Sequence, residues 1–460
     1  MEPYPKSMIL SKIIKNQSFW GFFYIDSPRF LRYNGCSMTR FTSWRNKKMK
    51  KVKFGVIGYG QRGSGMTQRI LLGMSDVEVV GVCDYYEDRT QQAMDDVEKA
   101  CGKRPFGSTN YMDILNMESL DAVMIATSWE THVPFAIEAL NKGIAVAMEV
   151  CGAYNIDSIW ELVRTQERTG TPFMFLENCC FGKTELLGTS FVRNGLLGEL
   201  VHAHGAYAHH LCYEIATGEK HRHYRLRNYL LRNCDNYPTH ELGPIAKALN
   251  INRGNQMLSL VSIGSKSVGM ADYVNRNAEK FPELVGKTWR QSDIVNTLIT
   301  CADGSTISLC LDTTLPRSYS RQFTLRGTGG YYEQDTNLLY RYGDREYWDT
   351  ERFYRDFAGS AAKLEEDYLP DIWKTITQAD LDAGHGGMDG LEMRAFVNAL
   401  KANKEMPIDV YDGASWMAIS ALSEASIAQG GAPQVIPDFT NGMWTVRKPK
   451  DVVELPIVNK

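Results

Sequence analysis

The chain has 460 residues, room for two or three domains, with an ordinary apolar fraction of 43% and charged fraction of 23%. Its net charge of −3 offers no basic excess for nucleic acid, and no apolar run reaches the ~18 residues of a membrane span. The ten cysteines are spread thinly and read as reduced, mostly buried thiols, not as a disulfide framework.

Residues 1–48 hold nine Lys or Arg against two acids, Glu2 and Asp26. Aromatics are scattered there without helical or strand period, and the parts of a signal peptide are missing. The segment reads as a disordered extension, or as the result of an upstream start with Met49 the working one. The expected location is then the cytoplasm.

Lys51 to Ile57 is a short apolar strand running into Gly58-Tyr59-Gly60-Gln61-Arg62-Gly63. Met66, Ile70 and Met74 follow at helical spacing, and Val77 to Val82 is a second strand leading to Asp84. This is one strand–helix–strand unit of the dinucleotide-binding kind. Gly58 and Gly60 let the backbone turn tightly against a pyrophosphate, which the helix amino terminus attracts. Asp84 accepts hydrogen bonds from ribose hydroxyls and repels a 2′-phosphate, so NAD is expected over NADP.

The alternation continues. Leu120 to Ala126 is a strand, followed by Trp129, Glu130 and His132 at a helix start. Ile144 to Met148 is the next strand and leads to Glu149-Val150-Cys151; Phe173 to Leu176 runs into Glu177-Asn178. Repeated units of this kind build a parallel sheet that binds ligands beyond its carboxyl ends. After residue 180 the pattern turns antiparallel. Strands are expected at 201–207, 257–263, 292–301, 305–312, 322–326 and 331–333, with a hairpin at Asp303-Gly304 and late helices covering the sheet. The expected architecture is therefore α/β: a Rossmann dinucleotide-binding domain over 49–175, then an α+β substrate domain over 176–460 with a largely antiparallel open sheet.

The second half is rich in Tyr, His and Arg at element ends. Tyr207, His209, His210, the stretch His221 to Arg225, Tyr237-Pro238-Thr239-His240, Thr313 to Tyr319 and His385-Gly386-Gly387-Met388-Asp389 all fit a sugar site. Hydroxyls need dense hydrogen bonding, and aromatic faces pack on sugar rings. His202 and His204 share a strand face, but the histidine spacing matches no metal motif and no metal is expected. The adjacent Cys179 and Cys180 are expected on opposite faces of a strand. No pair of facing carboxylates of the ordinary glycosidase type is marked.

Together these motifs resemble the Gfo/Idh/MocA oxidoreductases over residues 51–445. More narrowly the chain is similar to glycoside hydrolase family 109, the NAD-dependent α-N-acetylgalactosaminidase type. The narrow resemblance lies in Glu149-Val150, Glu177-Asn178-Cys179-Cys180, Gly205-Ala206-Tyr207, Tyr237-Pro238-Thr239-His240, Asn250 to Gly254, Pro316 to Ser320 and His385 to Asp389. The superfamily's ordinary dehydrogenases usually carry Glu-Lys-Pro where this chain has Glu149-Val150-Cys151. Other departures are Phe181 where a Tyr is expected, Cys151 for Pro and Glu241 for Gly.

The resemblance implies NAD contacts at Gln61, Arg62, Asp84, Trp129, Glu130, His132, Glu149, Val150, Asn178 and Arg225, beside the glycines Gly58, Gly60 and Gly63. It implies sugar contacts at Tyr207, Tyr237, Pro238, Thr239, His240 and Tyr319, and a homo-oligomer. The implied reaction is transient oxidation at C3 of the sugar, loss of the C2 proton, elimination of the C1 substituent, addition of water and re-reduction. His240 is the candidate proton carrier, with Tyr237 and Tyr319 assisting at a hydroxyl. The bland readings are packing roles for these three and simple ribose or nicotinamide binding for Glu149. A net sugar or cyclitol dehydrogenase is the alternative function, and a non-catalytic NAD-binding protein a third.

Overall fold

The computed structural model describes residues 50–458 apart from residue 347, so the reading of residues 1–48 lies outside the described residues. The first sheet has six strands: β1 (Val52–Ile57), β2 (Val77–Cys83), β3 (Phe106–Ser108), β4 (Ala122–Ile125), β5 (Ala145–Glu149) and β6 (Phe173–Leu176). They are parallel and ordered β3-β2-β1-β4-β5-β6. β4, β5 and β6 are buried at every position, as a sheet covered on both faces requires. β4 is shorter than the expected 120–126. Chain order reverses beside β1, which opens a crevice at the carboxyl ends of β1 and β4.

The second sheet has eight strands. They are β7 (Leu200–Ala208), β8 (Met257–Gly264), β9 (Ile294–Cys301), β10 (Thr306–Asp312), β11 (Thr324–Gly327), β12 (Gly330–Glu333), β13 (Leu338–Arg341) and β14 (Gln434–Val435). Their order is β13-β12-β11-β7-β10-β9-β8-β14. Every neighbouring pair is antiparallel except β7 with β10. The expected hairpin joins β9 and β10, with Gly304 at φ +89° in its turn. β9 alternates buried Val295, Thr297, Ile299 and Cys301 with exposed Asn296, Leu298 and Thr300. One face of this sheet therefore meets the core and the other meets solvent.

The late helices divide their work. Helix Val410–Ala428 reaches the second sheet, where Ser426 Oγ accepts from Ser262 N of β8 at 2.9 Å. Its Trp416 also packs edge-on to Phe175 of β6, ring centres 6.3 Å apart. Helix Met388–Ala402 goes to the first sheet instead, with Phe396 against Phe54 of β1 at 5.8 Å. The parallel sheet needs its second face covered, and the C-terminal third of the chain supplies the cover. Helix Thr239–Ala248 packs on β7 of the second sheet and against the turn that follows β6. A Cβ on Gly205 of β7 would stand 2.7 Å from the Glu241 carbonyl oxygen, and one on Gly243 would stand 2.8 Å from Glu177 Cγ. Small residues on both sides let this helix come close.

Candidate active site

Both sheets contribute to a single large cleft of about 1640 Å³. That exceeds the ~300–1,000 Å³ of an ordinary ligand pocket and leaves room for a dinucleotide and a sugar together. At one end β1 turns at Gly58, φ +98°, where a Cβ would meet the Ala126 carbonyl oxygen at 2.5 Å. Gly63 packs its helix against that turn, a Cβ there lying 1.9 Å from Gly58 O. Gly60 is different: a Cβ would meet only Arg89 Nη1, at 3.5 Å, so the space above it is open. Gly60 also starts helix Gln61–Arg69 with no side-chain cap and no acid in the first turn. Uncapped N–H groups below an open space form a cradle for a pyrophosphate.

Asp84 follows β2 and is buried. Its carboxylate accepts from Tyr59 N at 2.7 Å and Tyr86 N at 3.0 Å, which aims it at the cleft with lone pairs to spare for ribose hydroxyls. Arg225 also lines the cleft. Its guanidinium lies over the rings of Tyr237 (4.7 Å) and Trp129 (5.3 Å), 2.7 Å from Glu214, and its Nη1 is buried without a hydrogen-bond partner. A ligand oxygen would satisfy it. The residues present therefore fit a dinucleotide.

Not every expected contact faces the cleft. Gln61, Arg62, His132, Glu149, Val150 and Asn178 line it; Gly63, Trp129, Glu130, Pro238 and Thr239 do not. Trp129 is packed under Tyr224 and Tyr237 at 4.6 and 5.8 Å. Glu130 takes two hydrogen bonds from Arg227, at 2.5 and 2.6 Å, tying the two domains together. Arg62 donates Nε to Glu149 at 2.7 Å and both Nη groups to Asp389, which leaves few donors for a phosphate. His132 faces the carbonyls of Cys151 (3.2 Å) and Thr127 (3.1 Å), and burial pushes its imidazole below the usual range. It braces a turn in which Cys151 has φ +58°. Proline, locked near φ ~−65°, cannot take that conformation, so the change from Glu-Lys-Pro alters the backbone as well as removing a cation.

The other end of the cleft is aromatic. Tyr207 and Tyr237 lie 4.4 Å apart, each edge-on to His240, at 5.6 and 4.8 Å. Tyr319 stands 5.1 Å from His209, and its hydroxyl accepts from Arg321 Nη1 at 3.0 Å. Burial pushes the Tyr207 and Tyr237 phenols well above their usual range, so both stay neutral donors. His240 Nδ1 meets both oxygens of Glu177, at 2.8 and 2.9 Å. Glu177 is completely buried, and burial acts to raise its carboxyl. The charge of His240, hydrogen bonds from His240 and Thr239, and the Cys179 N–H outweigh burial and hold it below the usual range. Sequence reasoning missed this carboxylate, although it stood in the Glu177-Asn178 motif. The Glu177, Cys179 and His240 ligand atoms all lie within 4.8 Å of one another; the Glu177–His240 hydrogen bond accounts for the approach.

One local expectation changes, and the remaining marked residues take their places. Cys179 and Cys180 do not alternate on a strand; Asn178–Phe181 is a short 3₁₀ turn. Phe181 is core, its carbonyl accepting from Trp373 Nε1 at 2.9 Å. Glu241 points away from the cleft into the second sheet, accepting Tyr207 N at 2.7 Å and Cys310 N at 3.2 Å. His202 and His204 are hydrogen-bonded to Thr306, Ser308 and Gln322 on the sheet's outer face, remote from the site.

Residues 52–176 match the family model for the oxidoreductase NAD-binding Rossmann fold, and residues 181–446 match the glycosyl hydrolase 109 C-terminal domain. An α-N-acetylgalactosaminidase from Tannerella forsythia is 34% identical over 423 residues, covering 86% of this chain and 88% of that protein. The chain belongs to glycosyl hydrolase family 109. A family 109 protein from Stenotrophomonas maltophilia is 35% identical, with 87% and 91% covered. Among solved structures, an NAD-binding oxidoreductase from Klebsiella pneumoniae superposes with TM-score 0.61 at 14% identity, covering 84% of this chain and 99% of that one. A scyllo-inositol dehydrogenase from Lactobacillus casei with bound NAD(H) gives 0.59 at 15%, covering 84% and 98%. At such identities these two share the fold alone. As a family 109 member the chain is a glycoside hydrolase that uses NAD.

Proposed function

We propose that this enzyme cleaves an α-linked N-acetylgalactosaminide and regenerates its NAD in each turnover. The observation that carries the proposal is the His240–Glu177 pair, set beside stacked tyrosines in the same cleft as the dinucleotide cradle. NAD, when bound, accepts a hydride from C3 of the sugar and returns it to close the cycle.

The chain's own residues supply binding and proton transfer. Tyr207 and Tyr237 offer ring faces and neutral hydroxyls to the sugar. A C3 ketone acidifies the C2 proton, and His240 is placed to take it. With Nδ1 held by Glu177, Nε2 is the ring nitrogen left for substrate, and the carboxylate stabilises the imidazolium that forms. Tyr319, kept in place by Arg321, donates to the leaving oxygen as the C1 bond breaks. Val150 replaces the lysine of the dehydrogenases, so no ammonium competes for that proton.

The unpaired state of all nine described cysteines supports a reducing, cytoplasmic location. No helix is long and apolar enough to cross a membrane among the described residues. The outer face of the second sheet carries Leu298 and Ile263, 60% and 63% exposed, which supports a homo-oligomer formed through that face. Incubation with an aryl α-N-acetylgalactosaminide tests the activity. Aryl release without accumulation of NADH is expected; NADH formed in step with sugar oxidised would make the enzyme a dehydrogenase.

A further inference from the structure

The His385-to-Asp389 motif meets the start of the dinucleotide helix, where Arg62 donates to Asp389. Gly384, His385, Gly386 and Gly387 take φ values of +132°, +42°, +64° and +99° in succession. For His385, which carries a side chain, that conformation costs free energy and persists only where its surroundings fix it. Asp389 is what fixes it. Its carboxylate is 1% exposed and meets His385 Nδ1 at 2.8 Å, Arg62 Nη1 and Nη2 at 2.5 and 3.0 Å, and Asn178 Nδ2 at 2.7 Å. Burial acts to raise this carboxyl, but the hydrogen bond from His385 and the charge of Arg62 outweigh it and keep the group ionised. The fit is tight, since a Cβ on Gly384 would stand 2.6 Å from Asp389 Oδ2.

One buried carboxylate thus joins the start of the dinucleotide helix, the end of β6 and the glycine loop. On its open side the joint presents Leu381, Asp382, Gly384, His385 and Met388 to the cleft shared with Gly60 and Gln61. An enzyme that takes back its hydride in each cycle gains nothing by releasing the cofactor, whereas a dehydrogenase must release it.

We propose that Asp389 is a positioning residue that latches the 381–388 segment over the dinucleotide cleft, so that NAD is retained from one turnover to the next. The purpose of the latch rests on the recycling reading above, but its test does not, because cofactor release is measured without sugar. The full-length enzyme is loaded with NADH, and release into excess NAD⁺ is followed by the loss of bound-NADH fluorescence. Asp389→Asn keeps the shape and removes the charge. We expect release about tenfold faster or more, loss of cofactor on gel filtration, and a KM for added NAD that rises by more than kcat falls. Gly384→Ala leaves Asp389 in place and drives a methyl group into its carboxylate; faster release is expected there too. Release at the parent's rate from both folded variants overturns the proposal. Should Asp389→Asn fail to fold, Gly384→Ala decides alone. If the parent accumulates NADH with sugar, the recycling reading fails while these rates still judge the latch.

Discussion

Glu177 and Asp235 are both completely buried acids, yet burial has opposite outcomes for them. Glu177 has His240 as a partner and stays below its usual range. Its contribution to stability is therefore present above the ordinary carboxyl value of 4.5 and is lost as pH falls through its lowered folded value. Glu177→Gln leaves an amide that cannot stabilise an imidazolium. We predict that kcat falls by about 10²-fold or more while NAD binding is kept, as cofactor titration would show; an unchanged kcat would remove Glu177 from the mechanism. Asp235 has hydrogen bonds but no cation against it: burial outweighs the bonds from Glu241, the Tyr237 N–H and Thr297 and pushes the group up to about 6. The sign reverses: this group's contribution is present below 3.8 and is lost as pH rises through about 6. Asp235→Asn should therefore gain thermal stability over the parent above about pH 6 and show no gain near pH 4. Melting curves across that range check it.

Helix Thr239–Ala248 carries His240, and its place depends on what is missing from Gly243. A methyl there presses on Glu177 Cγ at 2.8 Å and Cys180 Sγ at 3.1 Å. Overpacking of this kind costs ~1–3 kcal/mol. For Gly243→Ala we predict a modest loss of melting temperature with a larger loss of kcat, because the displaced methylene carries the carboxylate that holds His240. Loss of stability alone would show that the helix and Glu177 move together. The strands were legible at this scale because apolar runs and a period of two survive any context. The 3₁₀ turn at Asn178–Phe181 was not, because its 3₁₀ geometry is set by contacts such as Trp373 Nε1 to the Phe181 carbonyl, from 192 residues away. The left-handed Cys151 was equally hidden, since no local residue type announces a positive φ outside glycine and asparagine.

The whole molecule places a cofactor cradle and a sugar-sized aromatic pocket on one cleft between two sheets. The cradle could be read from glycine spacing and Asp84, since both follow from local backbone demands. The pairings that set the chemistry cross long distances in sequence: Glu177 to His240, and Arg62 and Asn178 to Asp389. Residue type alone cannot reveal such partners. The same long-range order explains why the late helices divide between the sheets rather than cover only the second. In the proposed reaction the glycosidic bond breaks by loss of the C2 proton, with His240 as its carrier. The most direct measurement is one turnover series in D₂O with an aryl α-N-acetylgalactosaminide, weighing the released sugar by mass spectrometry. One carbon-bound deuterium at C2 is expected. Sugar released without that deuterium would contradict it.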